Sequence, residues 1–130
     1  GVSSCTDVSG FGLIGHLQEM LISSKAGARI KMKALPLYRG VAEMAAQGLI
    51  PGGDYRNLEY YKKDLIFEAE ESELQENLVL LADAQTSGGL LMAVSSARLE
   101  QLLNELPKEG AQGYVIGEIT AGPEGKIAIY

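Results

Sequence analysis

Asp7 is the only acidic side chain in the opening stretch, where Cys5-Thr6-Asp7-Val8-Ser9-Gly10-Phe11-Gly12 sets a carboxylate among hydroxyls and glycines. Thr6 or Asp7 is placed to cap a helix beginning just after it, and the free N–H groups of a helix start attract phosphate oxygens. A carboxylate there suits Mg²⁺ bridging a nucleotide. Mg²⁺ takes one or two protein carboxylates together with phosphates and water, so Asp7 alone is an incomplete site. An aspartate at this spacing also serves as a plain helix cap, and the residue types allow either role. Gly10, Gly12 and Gly15 spell GxGxxG. A dinucleotide fingerprint needs a strand directly before the glycines and an acid at the end of the next strand. Residues 1–9 hold no strand-like apolar run and the next predicted strand ends in Lys33, so that reading is set aside. Glycines in a helix start still cost roughly 1 kcal/mol each relative to alanine. Close approach of a ligand phosphate or of another backbone offsets such a cost.

A second candidate loop is Asp83-Ala84-Gln85-Thr86-Ser87-Gly88-Gly89, with a carboxylate, an amide, hydroxyls and glycines whose N–H groups can form an anion nest. It is equally a normal length for a helix-to-strand connection. Cys5 reads as a small buried apolar residue, and His16, with no acid or nucleophile matched to it, reads as structural.

The elements that must position these groups follow from periodicity. Leu13, Leu17, Met20 and Leu21 predict a helix ending near Ser23-Ser24 and Gly27. Residues 28–33 alternate apolar with basic side chains and predict a half-buried strand. Leu37, Val41, Met44 and Ala45 mark a second helix stopped by Gly48, before the turn-rich Pro51-Gly52-Gly53. Tyr55, Tyr60 and Tyr61 fit a short helix, with Leu65, Ile66 and Phe67 a brief buried stretch. Leu74, Leu78 and Leu81 define a further helix ending at the second loop, and residues 90–94 a buried strand. Ser95 or Ser96 then caps a helix with Leu99, Leu102, Leu103 and Leu106 on one face. Residues 114–120 and 126–130 predict two strands joined as an antiparallel hairpin through 121–125. The expected fold is α+β, a mixed sheet with helices packed on it.

With 130 residues, 46% of them hydrophobic and 22% charged, the chain has the composition of one globular domain, 1–130. A net charge of -6 and a pI near 4.8 oppose binding to a polyphosphate backbone, so no nucleic-acid partner is expected. One Cys and one His exclude an internal disulfide and a Cys/His zinc cluster, which makes a cytoplasmic setting the expectation. No apolar run approaches the ~20 residues of a membrane helix, so no membrane partner is expected either. A start at Gly1 without Met reads as a piece of something longer.

The segment from Cys5 to Leu17 resembles the CTDVTGFGLLGHL motif of the selenophosphate synthetase (selenide, water dikinase) family, and residues 83–91 resemble its DPQTSGGLL. Between them, Ala46-Gln47-Gly48-Leu49-Ile50-Pro51-Gly52-Gly53 with Arg56-Asn57 is similar to its AQGxxPGGxxRN stretch. The motifs stand in family order across most of the chain. The first is shared in part by the wider AIR synthetase-like superfamily.

The resemblance implies the C-terminal domain of that enzyme, of the AIR synthetase C-terminal type, which as a whole makes selenophosphate, AMP and phosphate from ATP, selenide and water. It implies that Asp7 joins N-terminal-domain aspartates in holding Mg²⁺ at the ATP phosphates, with Thr6, Gly10 and Gly12 near the phosphates. Asp83, Gln85, Thr86, Ser87, Gly88 and Gly89 would form a second loop at the site. It also implies a partner N-terminal ATP-binding domain, a homodimer of the whole protein, and no catalytic residue in this chain, which alone would be inactive. Ser9 stands where the family has Thr and keeps the hydroxyl. Ala84 replaces a family Pro and loosens that backbone. Other readings are a different ATP-using superfamily member, such as thiamine-monophosphate kinase or a hydrogenase maturation protein, and a non-catalytic binding module. The 46–57 stretch argues against the first.

Overall fold

The computed structural model of the chain describes residues 1–68 and 77–130. Strand β1 (Ser4–Asp7) leads into helix α1 (Gly12–Ser24) and strand β2 (Gly27–Ile30). Helices α2 (Val41–Ala46) and α3 (Gly52–Tyr61) precede strand β3 (Leu65–Phe67). Helix α4 (Leu78–Leu81), strand β4 (Leu90–Ala93), helix α5 (Ser96–Glu105) and strands β5 (Gly117–Thr120) and β6 (Ile127–Ile129) complete the order. Leu74, assigned from the sequence to the helix before the second loop, lies outside the described residues.

The core forms where α1 crosses the inner face of a four-stranded sheet of order β3-β6-β2-β5. Ile14, Leu17 and Leu21 recur at helical spacing on α1 and meet Ala28 and Ile30 of β2 and Ile127 and Ile129 of β6. Tyr61 of α3, with Leu78, Leu81 and Ala82 at α4, closes the cluster from the side. Each large apolar side chain buried this way contributes roughly 1.5–3 kcal/mol. The α+β expectation of a mixed sheet under helices holds, because β2 pairs antiparallel with β5 and parallel with β6.

The terminal hairpin does not form. β5 and β6 flank β2 on opposite sides and never pair with each other, so 121–125 reverses the chain across the end of β2 rather than folding β6 onto β5. The strand expected over 28–33 ends at Ile30, since Met32–Ala34 wind into a 3-10 turn. Pro51 precedes α3, whose first residue is Gly52, so the turn-rich Pro-Gly-Gly starts a helix. The lead-in, read as having no strand, contains β1. It pairs antiparallel with β4, Ser4 opposite Ala93 and Asp7 opposite Leu90, in a separate two-stranded ribbon. Backbone hydrogen bonds, not an apolar stripe, hold it, which is why apolar periodicity missed it. Cys5 is consequently exposed on this ribbon instead of buried. No helix among the described residues is long and apolar enough to cross a membrane.

Gly12 fixes how α1 seats on the core. Its φ is +68°, and a Cβ there would lie 2.6 Å from the backbone carbonyl carbon of the fully buried Ala82. Gly10 differs, since a Cβ on it would meet nothing within 4 Å. Gly12→Ala is therefore expected to destabilise the domain by about 2–4 kcal/mol through left-handed strain and overpacking. Gly10→Ala should change stability by under about 1 kcal/mol. Urea unfolding of both variants checks the contrast, and equal effects would contradict it.

Candidate functional site

The two loops singled out in the sequence are one structure. Beyond Asp7 the β1–β4 ladder continues into them: the Val8 N–H donates to the Gly89 carbonyl at 2.9 Å and the Gly88 N–H to the Val8 carbonyl at 3.2 Å. The Gln85 N–H then donates to the Ser9 carbonyl at 3.0 Å. Gly88 permits this approach, since a Cβ on it would stand 2.7 Å from the Val8 oxygen. The 83–89 loop thus lies directly against the turn that follows Asp7.

Asp7 is exposed and does not cap α1. Phe11 occupies the N-cap position, and no side chain caps the helix. Asp7 also makes no ion pair with any described residue. Its carboxylate is therefore available to a cation, and among the described residues no cluster of His, Cys, Asp and Glu forms a complete metal site around it. One free carboxylate is what a contribution to a shared Mg²⁺ requires. The Thr6 hydroxyl donates to the Asp7 carbonyl at 3.2 Å. Gly10 lies under open space, whereas the Gly12 N–H donates to the Ser9 carbonyl at 3.1 Å, so Gly12 serves the turn itself.

On the second loop, Thr86, Ser87, Gly88 and Gly89 are exposed, while Asp83 and Gln85 turn to structural partners. Gln85 Nε2 donates to Asp83 Oδ2 at 2.5 Å. Asp83 and Asp54 line the same apolar pocket. Asp54, in the first turn of α3, is 2% exposed, and its Oδ1 accepts the Ala84 N–H at 3.1 Å. A proline at position 84 could not make that bond, so the hydrogen bond depends on Ala84 having a backbone N–H. One helical turn further on, Asn57 Nδ2 donates to the Gly10 carbonyl at 2.9 Å and to the Ala82 carbonyl at 3.1 Å. A single amide thereby ties the first glycine turn to the start of the second loop.

Asp54 and Asn57 were not singled out as site residues in the sequence. Asn57 falls in the third motif, but Asp54 carried no signal beyond its place after Pro51-Gly52-Gly53. His16, read as having no acid or nucleophile nearby, is buried with Nε2 3.1 Å from Ser9 Oγ and Nδ1 3.6 Å from Glu19 Oε2.

Burial beside Val79, Leu80 and Ile50 pushes the Asp83 carboxyl above the ordinary aspartate range, and the neighbouring Asp54 carboxyl pushes it further. A raised value in the folded state means stability that is full below the unfolded aspartate pKa of about 4 and is lost as pH rises through the raised value. Asp83→Asn should remove that loss. Chemical unfolding at a series of pH values from 4 upward should show the variant gaining on the parent with rising pH, and a constant difference would contradict the raised Asp83 carboxyl.

The chain belongs to the AIR synthase related protein, C-terminal domain family, which matches residues 1–129. Over 129 residues and 99% of the chain it is 46% identical to a selenide, water dikinase of Carboxydothermus hydrogenoformans. It is 41% identical to that of Caldanaerobacter subterraneus subsp. tengcongensis and 38% identical to that of Clostridioides difficile. The chain spans 36% or 37% of the length of these relatives. The fold is similar to that of the hydrogenase maturation protein HypE crystallised in complex with ATP, with a TM-score of 0.61, 18% identity, and coverage of 98% of this chain and 32% of that one.

Proposed function

We propose that this chain is the C-terminal domain of a selenide, water dikinase, which forms selenophosphate, AMP and phosphate from ATP, selenide and water. The observation that carries the reading is Asp7, an exposed carboxylate at the end of β1 with no ion pair to a described residue, next to backbone that is hydrogen-bonded to Gly88 and Gly89 of the second loop. Similarity at 38% to 46% identity to dikinases over nearly the whole chain supports it.

Phosphoryl transfer depends on positioning and on neutralising charge at the phosphates. In this reading Asp7 holds Mg²⁺, which when bound offsets the negative charge of the ATP phosphates. Thr6, Gly10 and the 86–89 end of the second loop line the space where those phosphates sit. Asp54 and Asn57 hold the two loops at a fixed separation, so Asp7 needs no rearrangement to meet its ligand. The remaining metal ligands, the catalytic groups and most nucleotide contacts belong to an N-terminal domain, and the whole protein works as a homodimer in the cytoplasm. No residue of this chain transfers a proton or attacks the phosphate.

The test is Asp7→Asn in the full-length protein. Mg²⁺-dependent ATP consumption should fall roughly a hundredfold. Thermal unfolding should stay close to the parent, because Asp7 caps no helix. Parent-like turnover would remove Asp7 from the site.

A further inference from the structure

Two sheet faces lie open among the described residues, and their side chains differ in kind. On the four-stranded sheet Ala28 and Ile30 of β2 point into the core, so Arg29 between them faces outward. There its guanidinium pairs with Glu68, just after β3, and with Glu118 of β5, and it lies over the ring of Tyr130. A face whose charges are matched to one another in this way is suited to water.

The outer face of the β1–β4 ribbon is of the other kind. Leu91 of β4 packs against the core with Thr6 opposite it, so the pairs on either side, Cys5 opposite Met92 and Asp7 opposite Leu90, face away. Exposure follows the same alternation: Cys5 and Asp7 are exposed, Ser4 and Thr6 are half-buried, and Leu90 is 66% exposed. Side chains directly opposite on one face of an antiparallel pair have Cβ atoms about 4.5–5.5 Å apart, so Leu90 stands beside Asp7 and Met92 beside Cys5. Of these four side chains only Asp7 is charged, and it has no ion pair with a described residue. A bare leucine next to a thioether and a thiol, on a ribbon marginal by itself, makes a contiguous apolar face of the type that another surface covers.

The occupant that fits is the rest of the same polypeptide. The chain spans only 36% or 37% of the length of relatives to which it is 38% to 46% identical. A domain that shares the cation at Asp7 also meets Leu90, the cross-strand neighbour of Asp7. We propose that the outer face of the β1–β4 ribbon is the seat of the N-terminal domain, with Leu90 and Met92 as its apolar anchors. The choice of partner rests on the metal-site reading above. Covering Leu90 takes water away from Asp7, which strengthens the attraction between its carboxylate and the cation.

Cys5, the one cysteine of this chain, lies on that face and reports on it. In the full-length protein, iodoacetamide labelling of Cys5, followed by the mass of its peptide, should run at least tenfold slower than labelling of a free cysteine peptide at the same pH. Leu90→Gln should raise the rate about tenfold by removing a buried anchor. Ile66→Gln, on the ion-paired face in register with Ala128 and Arg29, should leave it unchanged. Should Leu90→Gln fold poorly, Leu90→Ala carries the same test.

Parent Cys5 labelled as fast as the free peptide would overturn the proposal, and so would a rate that both Leu90 variants leave unchanged or that Ile66→Gln raises equally. Protection lost on dilution, in step with dissociation of a homodimer in sedimentation, would give the face to a second copy and overturn the assignment to the N-terminal domain. If Asp7→Asn abolishes turnover while Cys5 is freely labelled, only the docking inference fails. If Cys5 is protected and Asp7→Asn turns over like the parent, the metal-site reading fails and the docking face stands.

Discussion

The backbone ladder between β1 and β4 is the constraint from which the site follows. It runs past the end of both strands, so that Val8 and Ser9 are still hydrogen-bonded to Gly89, Gly88 and Gln85. A two-stranded ribbon is marginal by itself. Here the ribbon leads straight into α1, whose Ile14, Leu17 and Leu21 are buried in the main core, so the exposed ribbon is tethered to the best-packed helix. Asp7 sits at the junction, on backbone fixed by hydrogen bonds and with its side chain left without a structural partner.

Helix α3 supplies the second restraint. Asn57 satisfies two carbonyls from different segments, and Asp54 accepts an N–H from the second loop while buried. Net, such bonds are worth only about 0.5–1.5 kcal/mol each. Leaving one of the buried groups unpaired costs more, about 1–3 kcal/mol. That asymmetry makes the arrangement specific, since a shift of the second loop would leave the buried Asp54 carboxyl without the Ala84 N–H. The raised Asp83 carboxyl is a consequence of closing the loop onto Asp54 in apolar surroundings.

Much of this was legible in the residues. The helices α1 and α5 follow from apolar spacing, and the two glycine-bearing loops share the same chemistry in the sequence. Three features were not legible, for physical reasons. The strand β1 is built of Ser4-Cys5-Thr6-Asp7, whose burial alternates but whose residue types show no apolar alternation to reveal it. The order β3-β6-β2-β5 depends on long-range pairing, and the short link 121–125 mimics a hairpin while β2 inserts between its strands. The partners of Asp54 and His16 are set by how α3 and α1 pack, which no local spacing encodes.

The central claim is that the turn after Asp7 and the 83–89 loop form one rigid platform. Native-state amide hydrogen exchange tests it directly, residue by residue. The account predicts that the amides of Val8, Gln85 and Gly88 exchange together with the β1–β4 ribbon and far more slowly than those of the exposed Thr86 and Ser87. Exchange of Gln85 and Gly88 as fast as Thr86 and Ser87 would contradict it, because the second loop would then move independently of Asp7.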